Sequence, residues 1–262
     1  MPQIFSDSIR QLLSVLIAGS FLLGSVTAEE LRPTFKFCED PWPPYTTGVN
    51  GAPPTGGLAV ELFKQLEIRL GFAFQLKLLP WKRCLFWAKQ GKFDGVMLLT
   101  KDAERATYLE FPTAVHYDAN LVWARKDRVF GRNFRSFEDF RGLKIGVTDG
   151  FNYGDAFKAA VKRHQLNLDS GPNISSNLHR LHLERIDIFL VNGIAGESAL
   201  EEIPELKGAF TVYRGPFEAV PFYIGLSKAS PISEYLPVFN DALQDMKRDG
   251  TLTRIFGAQP PP

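Results

Sequence analysis

Strand-like and helix-like runs alternate in two successive series along this chain, and that alternation limits the folds open to it. Residues 34–38 (Thr-Phe-Lys-Phe-Cys) switch between apolar and polar as a half-buried strand does. Leu58, Leu62, Leu66 and Leu70 then recur every four residues along one helical face, and Gly71 stands where a C-terminal cap belongs. A strand over 72–79, a helix over 81–90 closed by Gly91, an apolar strand over 93–99 and a helical turn within 103–109 follow. The second series reads as strands at 121–124 and 144–147, a helix at 155–164, a strand at 186–191, a helix near 197–202 and a strand at 222–226. Ser230 and Pro231 then supply a cap and a first-turn proline. Ile232, Leu236, Phe239, Leu243 and Met246 continue at steps of four and three up to Gly250.

This order implies right-handed crossovers within mainly parallel sheets. No low-complexity linker separates the series. The expected architecture is therefore α/β in two lobes, each a mainly parallel sheet flanked by helices, with two crossings between them. Residues 29–118 form the first lobe, 119–221 the second, and 222–262 return to the first. Hinges are expected near 117–121 and 219–222.

The N-terminus indicates export. A polar lead ending at Arg10, an apolar run over 12–23 and the small residues Ser25-Val26-Thr27-Ala28 make the three-part secretory layout, with cleavage after Ala28. Residues 1–28 are thus read as a signal peptide and the mature protein as periplasmic. The run is short for a membrane anchor. In an oxidising compartment Cys38 and Cys84 are the one possible pair, and a disulfide is favoured over two buried thiols. Thirty basic against 29 acidic residues give a net charge of +1, which argues against a nucleic-acid partner. Nucleophile-elbow, phosphate-loop and metalloprotease motifs are absent, and no cofactor or metal is expected. His179 and His182 lack a ligand cluster and are read as exposed helix residues.

In open α/β sheets ligands bind beyond the carboxyl ends of strands, which directs attention to the loops after Cys38, Leu79, Leu99, Val147 and Val191. The first holds Glu39, Trp42 and Tyr45 among three prolines; the aromatics either stack on a ligand or cover the sheet edge. The second holds Trp81, Lys82 and Arg83. Lysine and arginine are poorly placed at a helix start, so a nearby anion or acid would account for them. The third holds Thr100 and Arg105, which can converge on a carboxylate; the alternative is an arginine paired with Asp102 or Glu104. The fourth is a Gly150 turn followed by Phe151 and Asn152, and the fifth places Asn192 at a strand end.

These residues resemble the extracellular solute-binding proteins of family 3, which serve polar amino-acid uptake. The marks are Phe-Cys-Glu-Asp-Pro-Trp-Pro-Pro-Tyr at 37–45, Gly-Leu-Ala-Val-Glu-Leu at 57–62, Gly-Lys-Phe-Asp-Gly at 91–95, residues 100–105, Phe111-Pro112, and the segment from Ala242 to Ile255. Pro80-Trp81-Lys82-Arg83 with the two cysteines looks like a distinct subgroup. The resemblance implies a two-lobed type II fold and a monomer without cofactor. It also implies capture of a small carboxylate-bearing ligand, an amino acid or derivative, for delivery to an ABC permease. Trp42 and Trp81 would sandwich the ligand, Thr100 and Arg105 would hold its carboxylate, and Asn152 would contribute from the second lobe. Asn192 departs from the family, which usually has an aspartate there for the ligand's ammonium; Phe151 replaces a small hydroxyl residue. Two alternatives stand beside uptake: a cyclohexadienyl dehydratase-like enzyme using Glu39 or Asp149 as acid or base, and the ligand-binding part of a signalling receptor.

Overall fold

The computed structural model describes residues 32–128 and 134–257; the segment read as an export signal lies outside the described residues. In the first series β1 (Thr34–Glu39), α1 (Leu58–Leu70), β2 (Ala73–Leu78), α2 (Trp81–Lys89), β3 (Gly95–Thr100), β4 (Leu109–Glu110) and β5 (His116–Asp118) follow one another. The second contains β6 (Asn120–Arg125), β7 (Lys144–Thr148), α3 (Asp155–His164), β8 (Asn167–Gly171), α4 (Ile174–His182), β9 (Ile188–Asn192), α5 (Gly193–Glu201) and β10 (Phe210–Arg214). The chain then returns through β11 (Val220–Ser227), α6 (Leu236–Arg248) and α7 (Thr251–Phe256).

Two sheets result. The first has the order β2-β1-β3-β11-β4, with β5 also paired to β11, and the second the order β10-β6-β9-β7-β8. The pairs β1–β2, β1–β3, β7–β8 and β7–β9 are parallel, whereas β6, β10 and β11 pair antiparallel with their neighbours. The sheets are therefore mixed rather than mainly parallel. Helical crossovers impose parallel pairing, but the strands that pass between sheets arrive without one and are free to run the other way.

β3 and β9 are continuous apolar runs because both their faces are covered. On β9, Phe189 and Val191 pack with α4 and α5 residues, while Ile188 and Leu190 pack in the cluster that holds Phe157 of α3. Gly71 ends α1 in the left-handed conformation that glycine takes without steric cost. Ser230 Oγ accepts from Ile232 N at 3.2 Å, but the turn it caps is a short 3₁₀ segment, Pro231–Tyr235. The α-helix begins afresh at Leu236 because Pro237 has no N–H to continue the ladder. Cys38, at the end of β1, is disulfide-bonded to Cys84 of α2. His179 and His182 lie on α4, where His182 is exposed and His179 faces Glu205.

Candidate functional site

The ends of β1, β3, β7 and β9 and the start of α2 converge on one cavity between the sheets, with about 500 Å³ of free space counting its open mouth. Glu39, Trp42, Trp81, Thr100, Arg105, Asn152 and Asn192 all line it. Tyr45 does not. It is fully buried behind Trp42, with ring centroids 4.4 Å apart, and its hydroxyl meets Asp118 Oδ2 and His116 Nε2, each at 3.2 Å. The three-proline turn thus puts one aromatic on the cavity and the other beneath it.

Arg105 is buried and tightly held. Its Nη1 donates to Thr100 O at 2.7 Å and to Thr100 Oγ1 at 3.0 Å, and its backbone N donates to Asp102 Oδ1 at 2.8 Å. Its guanidinium lies 5.4 Å from the Trp81 ring centre, within cation–π range. Burial lowers its pKa, and the nearby Asp102 acts in the opposite direction. A planar fork backed by a tryptophan and fixed by a strand-end threonine suits a carboxylate.

The second sheet reaches this group through the turn at Gly150. Gly150 O accepts from Trp81 Nε1 at 2.9 Å and from Arg105 Nη2 at 3.1 Å, and Asn152 Nδ2 donates to Thr100 Oγ1 at 3.2 Å. Gly150 has φ +76°, and a Cβ there would lie 2.9 Å from Trp81 Cδ1. Outside the cavity Lys82 pairs with Asp149 at 3.4 Å, and Lys158 approaches Asp102 at 3.8 Å. Asp149 is therefore the acid that accounts for Lys82. It is nearly half exposed, hydrogen-bonded by Ser170, and absent from the cavity lining, so it is no general acid or base for this cleft.

Two carboxyls meet at the floor. Glu39 is fully buried, with Oε2 accepting from Leu98 N at 2.9 Å and Oε1 from Asp40 N at 3.2 Å. Burial, and then the charge of Asp40, raises the Glu39 pKa well above the usual carboxylate range. Asp40 is pushed up to about 7 by burial, against the lowering effect of its hydrogen bond with Glu39. Two adjacent acids that resist double ionisation share a proton most easily. Glu39 accordingly fastens β1 to β3.

Asn192 caps α5, its Oδ1 accepting from Ala195 N at 2.8 Å, which is why that helix starts at Gly193 rather than near 197. The amide oxygen is thus engaged, and Nδ2 has no hydrogen-bond partner among the described residues. The wall beside it carries residues that local sequence did not single out: Asp40, Asp118, Asn120, Val220 and Phe222. A polar-x-polar signal, Asp118-Ala119-Asn120, was present at the expected hinge. A second, wider cavity of about 1150 Å³, open solvent included, shares Thr100, Asn120, Asn152 and Val220 with the first.

A two-lobed cleft of this kind, with site residues from both sheets and strands crossing behind it, defines a ligand-capturing binding protein. The chain belongs to the bacterial extracellular solute-binding proteins, family 3, whose profile matches residues 37–257. It is 26% identical over 226 residues to the L-cystine-binding protein TcyJ of Escherichia coli K12, spanning 84% of this chain and 81% of that one. Among solved structures, an ancestral arginine-binding protein bound to arginine superposes with a TM-score of 0.70 at 23% identity, covering 86% of this chain and 96% of that one. The ancestral amino acid-binding protein AncCDT-1, a precursor of cyclohexadienyl dehydratase, gives 0.68 at 21%, covering 85% and 92%. These two likenesses are of fold.

Proposed function

We propose that the chain is a periplasmic protein, exported through residues 1–28, that captures an amino acid or a small amino-acid derivative. It acts as a monomer and passes the solute to an ABC permease. The observation that carries this reading is the buried Arg105 guanidinium, fixed by Thr100, facing an aromatic-walled cleft that both sheets close. A ligand carboxylate would take the Arg105 donor now held by the neutral Gly150 carbonyl, a stronger charge-assisted pair. Contacts from both lobes supply the differential affinity that closure requires. The likeness to an L-cystine-binding protein supports an amino-acid ligand.

Calorimetric titration of the mature protein with the common L-amino acids and L-cystine tests this. Binding of at least one, weakened on the order of a hundredfold in Arg105→Ala, is the expected result; no binding of any sinks the reading. A second reading, an enzyme of the cyclohexadienyl dehydratase kind, draws on the Glu39 carboxyl in the cleft, whose pKa burial raises. Turnover of prephenate or arogenate, lost in Glu39→Gln, would favour it.

A further inference from the structure

We propose that the ligand's amino group is received by Asp118 on the strands that cross between the lobes, making the solute an α-amino acid and not a simple carboxylate. The inference rests on the reading of the cleft as an amino-acid site and specifies its amine end.

Asp118 and Asn120 are two residues apart across the step from β5 to β6, and both line the cavity. Asp118 stands opposite Val220 on β11, and Asn120 opposite Asn192 on β9. The crossings therefore form one wall of the cleft, polar at Asp118, Asn120 and Asn192 and apolar at Val220 and Phe222. Its hydrogen-bond capacity is uneven. Asn192 has committed its oxygen to the α5 cap and offers the cavity a donor, which repels an ammonium. Asp118 is the charged acceptor of the wall. Its Oδ2 takes the Tyr45 hydroxyl at 3.2 Å and its Oδ1 the Ala119 N–H at 2.8 Å, two neutral donors that orient the carboxylate. A carboxylate has about four acceptor sites, so two are left.

The other acids near the cleft are spoken for. Both Glu39 oxygens accept backbone N–H groups, and burial raises its pKa; Asp40 lies against it with its own pKa raised to about 7; Asp102 faces Arg105 and Lys158. Asp118 has no lysine or arginine within 4 Å among the described residues; His116 Nε2 reaches that limit. Its side chain is only 16% exposed. A carboxylate this sheltered gains from a cation that arrives with its own hydrogen-bond donors, as a ligand ammonium does. Arg105 and Asp118 then serve the two charges of a zwitterion.

The test compares L-glutamine, L-arginine and L-cystine with the same molecules lacking the α-amino group: 4-carbamoylbutanoate, 5-guanidinopentanoate and 3,3′-dithiodipropionate. Affinities are measured by calorimetry on wild type and Asp118→Asn, with circular dichroism to establish folding. The expected result is that wild type prefers an amino acid over its counterpart and that Asp118→Asn loses at least tenfold of that ratio. Asp118→Ser, smaller and still an acceptor, is used if Asp118→Asn does not fold. An amine preference that survives in the variant overturns the proposal, as does a wild type that binds the deaminated acids equally well or better. The latter outcome leaves a carboxylate-binding protein standing, whereas failure of both ligand sets removes the amino-acid reading as well.

Discussion

The two sides of the cleft are built differently. The first-sheet side presents large side chains locked from behind: Trp42 rests on Tyr45, Arg105 is tied to Thr100, and Cys38–Cys84 joins the end of β1 to α2. The second-sheet side presents a glycine carbonyl and an asparagine amide from a turn, joined across the gap by a few hydrogen bonds and an exposed ion pair. In the proposed reading recognition would be concentrated where the framework is rigid, and closure would fall to contacts that are individually weak. A protein that must release what it binds needs that division, since a latch as strong as the recognition would hold the lobes together regardless of ligand.

The comparison can be broken at several points. Replacing Cys38 and Cys84 by serine should produce the largest change. A sequence separation of 46 corresponds to about 4 kcal/mol in the chain-entropy treatment, or a fall in Tm of roughly 10 °C by calorimetry. If Tm is unchanged, the first-lobe side is not locked from behind as described. Arg105→Ala should weaken binding of a carboxylate ligand by on the order of a hundredfold, about 3 kcal/mol, in titration calorimetry. Asn152→Ala should cost only about 1 kcal/mol, a hydrogen bond's net value, so equal losses would erase the distinction between the two sides.

The buried acids give a pH signature confined to the first side. The Asp40 pKa rises from 3.8 to about 7 on folding, so the folded state binds the proton more tightly. Its stabilising effect is fully present below about pH 4 and is lost as pH rises through 7. Melting curves should show a decline in Tm of roughly 5 °C from pH 5 to 8 that Asp40→Asn reduces. A slope identical in the variant would place its origin elsewhere. Gly150→Ala, strained at φ +76° and crowding Trp81, should reduce affinity by about tenfold, with X-ray scattering showing a less closed average shape. Lys82→Ala removes an exposed pair worth at most about 1 kcal/mol and should matter least, and less still at high salt.

The same asymmetry governs what could be read in advance. β3 and β9 are legible as apolar runs, and α1 by its leucine spacing and Gly71, because burial and local capping dictate those choices directly. β8, with the sequence Asn-Leu-Asp-Ser-Gly, is a strand only because β7 offers it an edge; its composition argues for a turn. α4 was hidden because Asn177, a polar residue, occupies a fully buried position on its inner face, where its amide donates to Val147 O at 3.1 Å. In the cleft, Trp42, Trp81, Thr100 and Arg105 follow from strand ends, which a linear pattern marks. Asp118 does not, because its place in the cavity depends on how the strand pairings β5–β11 and β6–β9 bring the two crossings side by side.

The Cys38–Cys84 bridge has a mechanical consequence. It fastens β1, whose following loop bears Trp42, to the helix that opens with Trp81, so the two indoles ride on one cross-linked plate. In a vice, one jaw is bolted to the bench and the other travels. Here the bolt is a covalent bond that reductants undo, and grip would then fail from the stationary side first.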